Sequence, residues 1–315
     1  MMIPMRFMVD AFLKNNAKIA NIVQNCAIFA AVKELAQIIS PIATELAQFE
    51  AFFGKTLHAD TEPMERIMRY VGDTRGKRLR PMLVLLSAKL FGQVNERTVR
   101  AATFVELVHS ATLLHDDVVD DADERRGRSS VKAQFGNLSA VLAGDFLLAK
   151  AMLLLSAPGD HAILQEMLRT AAAMSEGELM QGCPCHSETF EGIDTLALQA
   201  RYDMPSKGEA NLWATQYLDI ITRKTAVLMR SCCAAGALSV EATPEQVQQI
   251  ADFGINFGIL FQLRDDLLDG ENVEQAQALL PVYHEKALQT LEGFPPSEII
   301  EALRDLTMFC AEREG

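Results

Sequence analysis

The stretch ELVHSATLLHDDVVDDADERRG, Glu106 to Gly127, runs out of an apolar segment into a crowd of charge. Up to His115 apolar and small residues recur at helical spacing. Asp116, Asp117, Asp120, Asp121 and Asp123 then follow almost together, answered by Arg125 and Arg126. On a helix, Asp116 and Asp120 share a face with Cβ atoms roughly 5–6 Å apart. Like charges so placed are unfavourable, and more so where helices pack, unless cations neutralise them. The pattern Asp-Asp-x-x-Asp occurs a second time, at Asp265, Asp266 and Asp269, again at the end of an apolar helix, INFGILFQLR. A solvated helix end explains one such motif. Two, each closing an apolar helix, point to cations held between facing carboxylates. Hard oxygen donors favour Mg²⁺, which takes one or two carboxylates and completes its shell with water and phosphate.

Outward from the motifs the periodicity stays helical. PMLVLLSAKLFG, SAVLAGDFLLAKAMLLLS and ATQYLDIITRKTAVLMRSCCAAGALS are long, rich in Ala and Leu, and free of Gly/Ser linkers. Several are apolar nearly all round, so they sit inside a bundle. The expectation is an all-α fold: one domain over residues 39–315, with an irregular insertion near 183–212. A helical extension, residues 1–38, precedes it, either a plain terminal helix or an amphipathic one lying on a membrane surface.

Of the 315 residues 49% are hydrophobic, and the net charge of −13 argues against general nucleic-acid binding. Six cysteines are too few for a disulfide scaffold, which favours a reducing, cytoplasmic setting. Cys183-Pro184-Cys185-His186 has no second pair at zinc spacing. A di-iron bundle needs two Glu-x-x-His pairs, and only Glu106–His109 is present. No apolar run reaches the roughly 20 residues of a membrane span, and no secretory signal pattern opens the chain.

An acidic protein acting on an anion must concentrate positive charge locally. GKRLRP, Gly76 to Pro81, sets Lys77, Arg78 and Arg80 at a helix N-terminus, where unsatisfied N–H groups also favour an anion. Arg125 and Arg126 add guanidinium forks suited to phosphate. Lys224 and Thr225 lie inside an otherwise apolar helix. Each has an ordinary alternative: a basic surface cluster for GKRLRP, a stem reaching solvent for Lys224, a satisfied core histidine for His109.

Together GKRLRP, ELVHSATLLHDDVVDDADERRG, SEGELMQ, RKTA and FQLRDDLLD, spanning about Ile39 to Gly270, resemble the trans-isoprenyl diphosphate synthases, the polyprenyl synthetase family. The resemblance implies an all-helical, isoprenoid-synthase-type bundle around a deep cavity, usually homodimeric. It implies a prenyltransferase reaction: an allylic diphosphate such as farnesyl diphosphate loses diphosphate, assisted by Mg²⁺ (three ions with substrate bound), and isopentenyl diphosphate attacks the allylic cation. By position, Asp116, Asp120 and Asp265 match metal ligands, with Asp266 and Asp269 in support. Asp116, Asp120, Lys224 and Asp265 are the catalytic set. Arg125, Lys224 and Gln262, with Thr225 beside them, match the allylic diphosphate site. Lys77, Arg80, His109 and Arg126 match the isopentenyl diphosphate site.

Ala111 and Thr112 lie one turn deeper than Asp116 and form the expected chain-length wall. Ala111 is small where short-chain relatives carry an aromatic, so the expectation is a long-chain product, C30 or above, delivered with no membrane span but with peripheral contact for lipid release. Phe146 or Met152, further down, could still close the cavity. After Asp269 the family's lysine-bearing loop has no counterpart and the C-terminus is short. That leaves a second reading, a non-catalytic or weakly active partner subunit of a heteromeric synthase. An all-α terpene cyclase would use the acidic motifs but has less reason to carry GKRLRP.

Overall fold

The computed structural model describes residues 35–73, 76–156, 159–182 and 216–313. The expected N-terminal extension, apart from residues 35–38, and the arm 183–212 with its Cys-x-Cys pair lie outside the described residues. Ile42–Gly315 forms one compact unit, to which the following elements belong.

Helices dominate, as the periodicity predicts. They are α1 (Ala43–Thr56), α2 (Glu62–Gly72), α3 (Leu79–Phe91), α4 (Glu96–Val119), α5 (Val131–Phe135), α6 (Asn137–Leu154), α7 (His161–Gly182), α8 (Val227–Ser239), α9 (Pro244–Asp269), α10 (Val273–Glu292) and α11 (Glu298–Glu312). The two helices that end in acidic motifs start on strong caps. Asn95 and Thr98 form a reciprocal capping box on α4. Thr243 and Gln246 do the same on α9, with Pro244 just inside the helix. Each long helix therefore starts at a defined residue, and that start sets the register in which its aspartates emerge.

Pro81 to Ala88 of α3 is buried residue after residue, as is most of α8. These two apolar helices pack together, and α4 and α9 flank them. Phe104, Phe253 and Phe257 are fully enclosed, each worth about 2–3 kcal/mol of burial. α9 turns sharply into α10 through residues 270–272, where Gly270 (φ 75°) and Asn272 (φ 44°) take left-handed backbone. No longer loop separates the two helices at that point.

No alternating, strand-like run marks this stretch, yet β1 (Glu124–Arg125) pairs antiparallel with β2 (Arg128–Ser129) directly after the first motif. Arg126 (φ 54°) and Gly127 (φ 72°) form the two-residue turn with positive φ at both positions, as type I′ hairpins require. Tyr70 of α2 docks this ribbon: its hydroxyl donates to the Ser129 carbonyl at 2.7 Å, and Arg128 stacks 4.6 Å from its ring.

Candidate active site

The last turn of α4 divides the aspartates by direction. Asp117 points inward, is 2% exposed, and accepts a 2.6 Å hydrogen bond from Arg125 Nε. Asp116 is half-buried and Asp120, the C-cap, is exposed. Burial raises the Asp116 carboxyl to about 6, reinforced by Glu178 and Asp120 and opposed by Lys224 and Arg125. Asp121 leaves the helix in left-handed backbone, and Lys132 holds it at 2.6 Å and Asp123 at 3.1 Å on the surface. Five crowded carboxylates thus separate into an internal anchor, two that face outward from the helix end, and two tied to a surface lysine.

The hairpin gives adjacent arginines different neighbours. Arg125, on the strand, clamps Asp117. Arg126, at the turn, lies against the Gly76 backbone, with Nη1 2.6 Å from where a Cβ would stand, so GKRLRP and the arginine pair meet. Within GKRLRP the three cations have different fates. Lys77 is exposed. Arg78 is locked between Glu106 and Glu50 and stacks 4.8 Å from the Phe53 ring, a structural role. Burial lowers the Arg80 guanidinium from its ordinary range but leaves it a cation, and its enclosed Nε has no hydrogen-bond partner. His109 nearby is held well below the usual imidazole range by burial and by Arg80, Arg126, Arg125 and Arg78, so it is neutral and can donate one N–H. A cavity of about 70 Å³ bordered by His109, Arg125, Arg126, Arg78 and Glu106 opens here.

Lys224 and Thr225 sit on a π-helical turn, Thr222–Ala226, between the helical residues 216–221 and α8. Wide turns of this kind are frequent at functional sites. Two glycines let neighbouring helices close on it: a Cβ at Gly177 of α7 would stand 2.8 Å from the Lys224 nitrogen, and one at Gly258 of α9 2.6 Å from Ala226 Cα. Lys224 Nζ donates to Glu178 (2.8 Å) and Gln181 (2.8 Å) of α7.

The second motif divides like the first. Asp266 is buried and accepts from Tyr217 Oη and from Gln262 Nε2 (2.7 Å), while Gln262 Oε1 accepts from Thr225 Oγ1 (2.7 Å). The Tyr217 hydroxyl is pushed far up by burial and by this carboxylate, so it stays a donor. Asp265 is half-buried and paired with Arg313, and Asp269 is exposed. Burial raises the Asp265 carboxyl, and the Arg313 guanidinium opposes the rise.

A cavity of about 680 Å³ joins the two motifs: Asp120, Lys224, Thr225, Gln262, Asp266, Tyr217 and Gln181 all border it. Ala111 is fully buried in α4, and the Thr112 hydroxyl donates to the His109 carbonyl at 3.0 Å. Phe146 is half-buried under Lys150, whereas Met152 is 45% exposed on the outer side of α6 and cannot close an internal cavity of this chain.

Sequence reasoning did not find Tyr217 or Arg313, and it assigned no role to Glu178 or Gln181. SEGELMQ stands out in the sequence by its charge, but nothing local announces the other two.

A family model described as polyprenyl synthetase matches residues 61–277. The octaprenyl diphosphate synthase of Escherichia coli (strain K12) is 29% identical over 254 residues, 77% of this chain and 72% of that one. The heptaprenyl diphosphate synthase component 2 of Geobacillus stearothermophilus is 28% identical over 341 aligned positions, covering 89% of this chain and 99% of that one. Among solved structures, the polyprenyl synthase from Caulobacter crescentus CB15, complexed with calcium and isoprenyl diphosphate, superposes with a TM-score of 0.74 at 25% identity over 89% of this chain and 98% of the other. With both aspartate motifs on one cavity and a basic cluster on the same bundle, the chain belongs to the polyprenyl synthetase family and is a prenyltransferase, a trans-isoprenyl diphosphate synthase.

Proposed function

We propose that the chain is a Mg²⁺-dependent all-trans polyprenyl diphosphate synthase that condenses isopentenyl diphosphate onto an allylic diphosphate such as farnesyl diphosphate, giving products of C30 or above. The observation that carries this reading is the 680 Å³ cavity bordered at once by Asp120, Asp266, Lys224, Thr225 and Gln262.

The residues fit a divalent metal. Asp116 is half-buried with Glu178 and Asp120 acting on it, a setting that a divalent cation would relieve, and Asp265 has drawn in a guanidinium. Among the described residues no three Asp, Glu, His or Cys side chains are grouped closely enough to hold a metal ion. Mg²⁺ needs only one or two carboxylates and takes the rest of its shell from water and phosphate oxygens. Asp116, Asp120, Asp265 and Asp269 would hold it, three ions with substrate bound, and it would act as a Lewis acid on the departing diphosphate. The Caulobacter structure, with calcium and isoprenyl diphosphate, supports the same pairing here.

The chain's own groups do the rest. Lys224, Thr225, Gln262 and Arg125 bind the allylic diphosphate. Arg80, His109, Arg126 and Lys77 bind isopentenyl diphosphate, whose charge answers the unpartnered Arg80 Nε. As the allylic C–O bond breaks, the isopentenyl double bond forms the new C–C bond, and the proton then lost passes to the released diphosphate. Apolar walls below Ala111 keep water from the cation.

An apolar strip on α6, with Leu138 74%, Leu142 49% and Leu153 71% exposed, supports a homodimer that covers it. Among the described residues α6 is the helix long and apolar enough to cross a membrane, but it packs extensively on α4 and has 18 residues. We read it as an interface. Cys232, Cys233 and Cys310 are buried free thiols, which fits a cytoplasmic setting.

The test is purified full chain with Mg²⁺, farnesyl diphosphate and labelled isopentenyl diphosphate, with products sized by chromatography. Extended products are expected. No incorporation would favour the second reading, a partner subunit of a heteromeric synthase, to which the component 2 relative lends support. Ala111→Phe is expected to shorten the product distribution, and an unchanged distribution removes Ala111 from the wall.

A further inference from the structure

The geometry points to Arg313 as a built-in counter-cation of the second acidic motif, one that holds Asp265 while the metal site is empty and must give it up when metal binds. Arg313 closes α11, and its Nη2 donates to Asp265 Oδ1 at 2.5 Å and to the Phe261 carbonyl at 3.3 Å. Its guanidinium carbon lies 4.2 Å from the Phe261 ring centroid. Its own carbonyl accepts two hydrogen bonds from Arg264, one from Nε at 2.9 Å. Both ends of the residue are therefore fixed to one turn of α9, residues 261–265.

This is not an ordinary surface ion pair. The Arg313 side chain is 11% exposed and stacked, and a guanidinium fixed in this way loses little further freedom on pairing. A planar cation and a divalent ion cannot both take the same carboxylate oxygen. The reading of Asp265 as a metal ligand, on which this inference rests, thus makes Arg313 and the metal direct competitors. Once displaced, the guanidinium remains tethered beside the site by the Arg264 clamp on its carbonyl. Its enclosed Nε, which has no partner now, is then available to a diphosphate oxygen. Arg313 is accordingly a positioning residue. It neutralises the motif before metal binds and couples metal arrival to a movement of its own guanidinium.

The experiment is a titration of the full chain with Mn²⁺ alone, no substrate, followed by electron paramagnetic resonance, for wild type, Arg313→Gln, Arg313→Lys and Asp265→Asn. Arg313→Gln is expected to bind Mn²⁺ roughly five- to tenfold tighter at the site that Asp265→Asn abolishes, the scale of a modest coupling between two ligands. Arg313→Lys is expected to restore much of the competition. A purely structural arginine would instead leave Mn²⁺ affinity equal or weaker in Arg313→Gln, and that result overturns the proposal. Asp265→Asn binding Mn²⁺ like wild type would sink the metal-ligand reading itself. Should Arg313→Gln fail to fold, the arginine side-chain resonances of wild type decide: the Arg313 guanidinium signals must shift on adding diamagnetic Mg²⁺, and unchanged signals count against the switch.

Discussion

The two aspartate motifs have identical spacing and opposite internal wiring. In each the middle residue, Asp117 or Asp266, is buried and serves as an anchor, while the outer residues are left more open. Asp117 is anchored by a guanidinium, that of Arg125. Asp266 is anchored by neutral donors, the Tyr217 hydroxyl and the Gln262 amide. The outer residues reverse the order: Asp116 is raised by burial and by Glu178, with Lys224 and Arg125 opposing, whereas Asp265 is paired directly with Arg313. Each motif therefore has one internal cation at a different position. The difference teaches that Asp-Asp-x-x-Asp specifies a buried anchor and a more open outer face, and leaves the charge balance to distant parts of the chain.

The largest way to break the comparison is at the outer residues. Asp116→Ala and Asp265→Ala should each lower kcat by about a thousandfold, the scale of removing a group that stabilises developing charge. Steady-state assays check this, and near-normal turnover in either variant would remove it from the ligand face. At the anchors the effect should be structural. Asp117→Asn leaves Arg125 without its partner and is expected to cost about 2 kcal/mol in denaturant unfolding, less than a fully buried pair because Arg125 is part-exposed. Tyr217→Phe removes one neutral bond from Asp266 and should cost about 1–2 kcal/mol. Equal losses of activity at anchors and outer residues, without loss of stability, would erase the distinction.

The smallest effect is in pH. The folded Asp116 carboxyl lies at about 6, above its ordinary 3.8, so the fold favours its protonated form. Its contribution to stability is full below about pH 4 and is lost as pH rises through about 6. Metal-free protein should therefore lose thermal stability from this group between about pH 4 and 6, and Asp116→Asn should flatten that slope. Mg²⁺ should offset the loss, because it binds only the carboxylate form. An unchanged slope in Asp116→Asn places the titration elsewhere.

Much of the site was legible because its residues carry local signals. Helical periodicity identified the bundle, and the i, i+4 aspartates at helix ends drew attention to the two motifs that border one cavity. Lys224 stood out as a charge in an apolar helix. The rest depends on contacts that leave no local pattern. Tyr217 reaches Asp266 across 49 residues, and Arg313 reaches Asp265 across 48. The π turn is imposed by neighbours packing at Gly177 and Gly258, not by the letters TRKTA. The hairpin was partly readable, since Gly127 suits a positive φ, but Arg126 beside it does not announce one.

The central claim is that both motifs serve a single diphosphate in one cavity. A crystal structure with Mn²⁺ and an unreactive thio analogue of farnesyl diphosphate tests it most directly. Anomalous manganese peaks at Asp116 and Asp120 and at Asp265, bridged by a diphosphate beside Lys224, Thr225 and Gln262, are the predicted result. Manganese on Asp117 or Asp266, or a diphosphate bound away from both motifs, would contradict it.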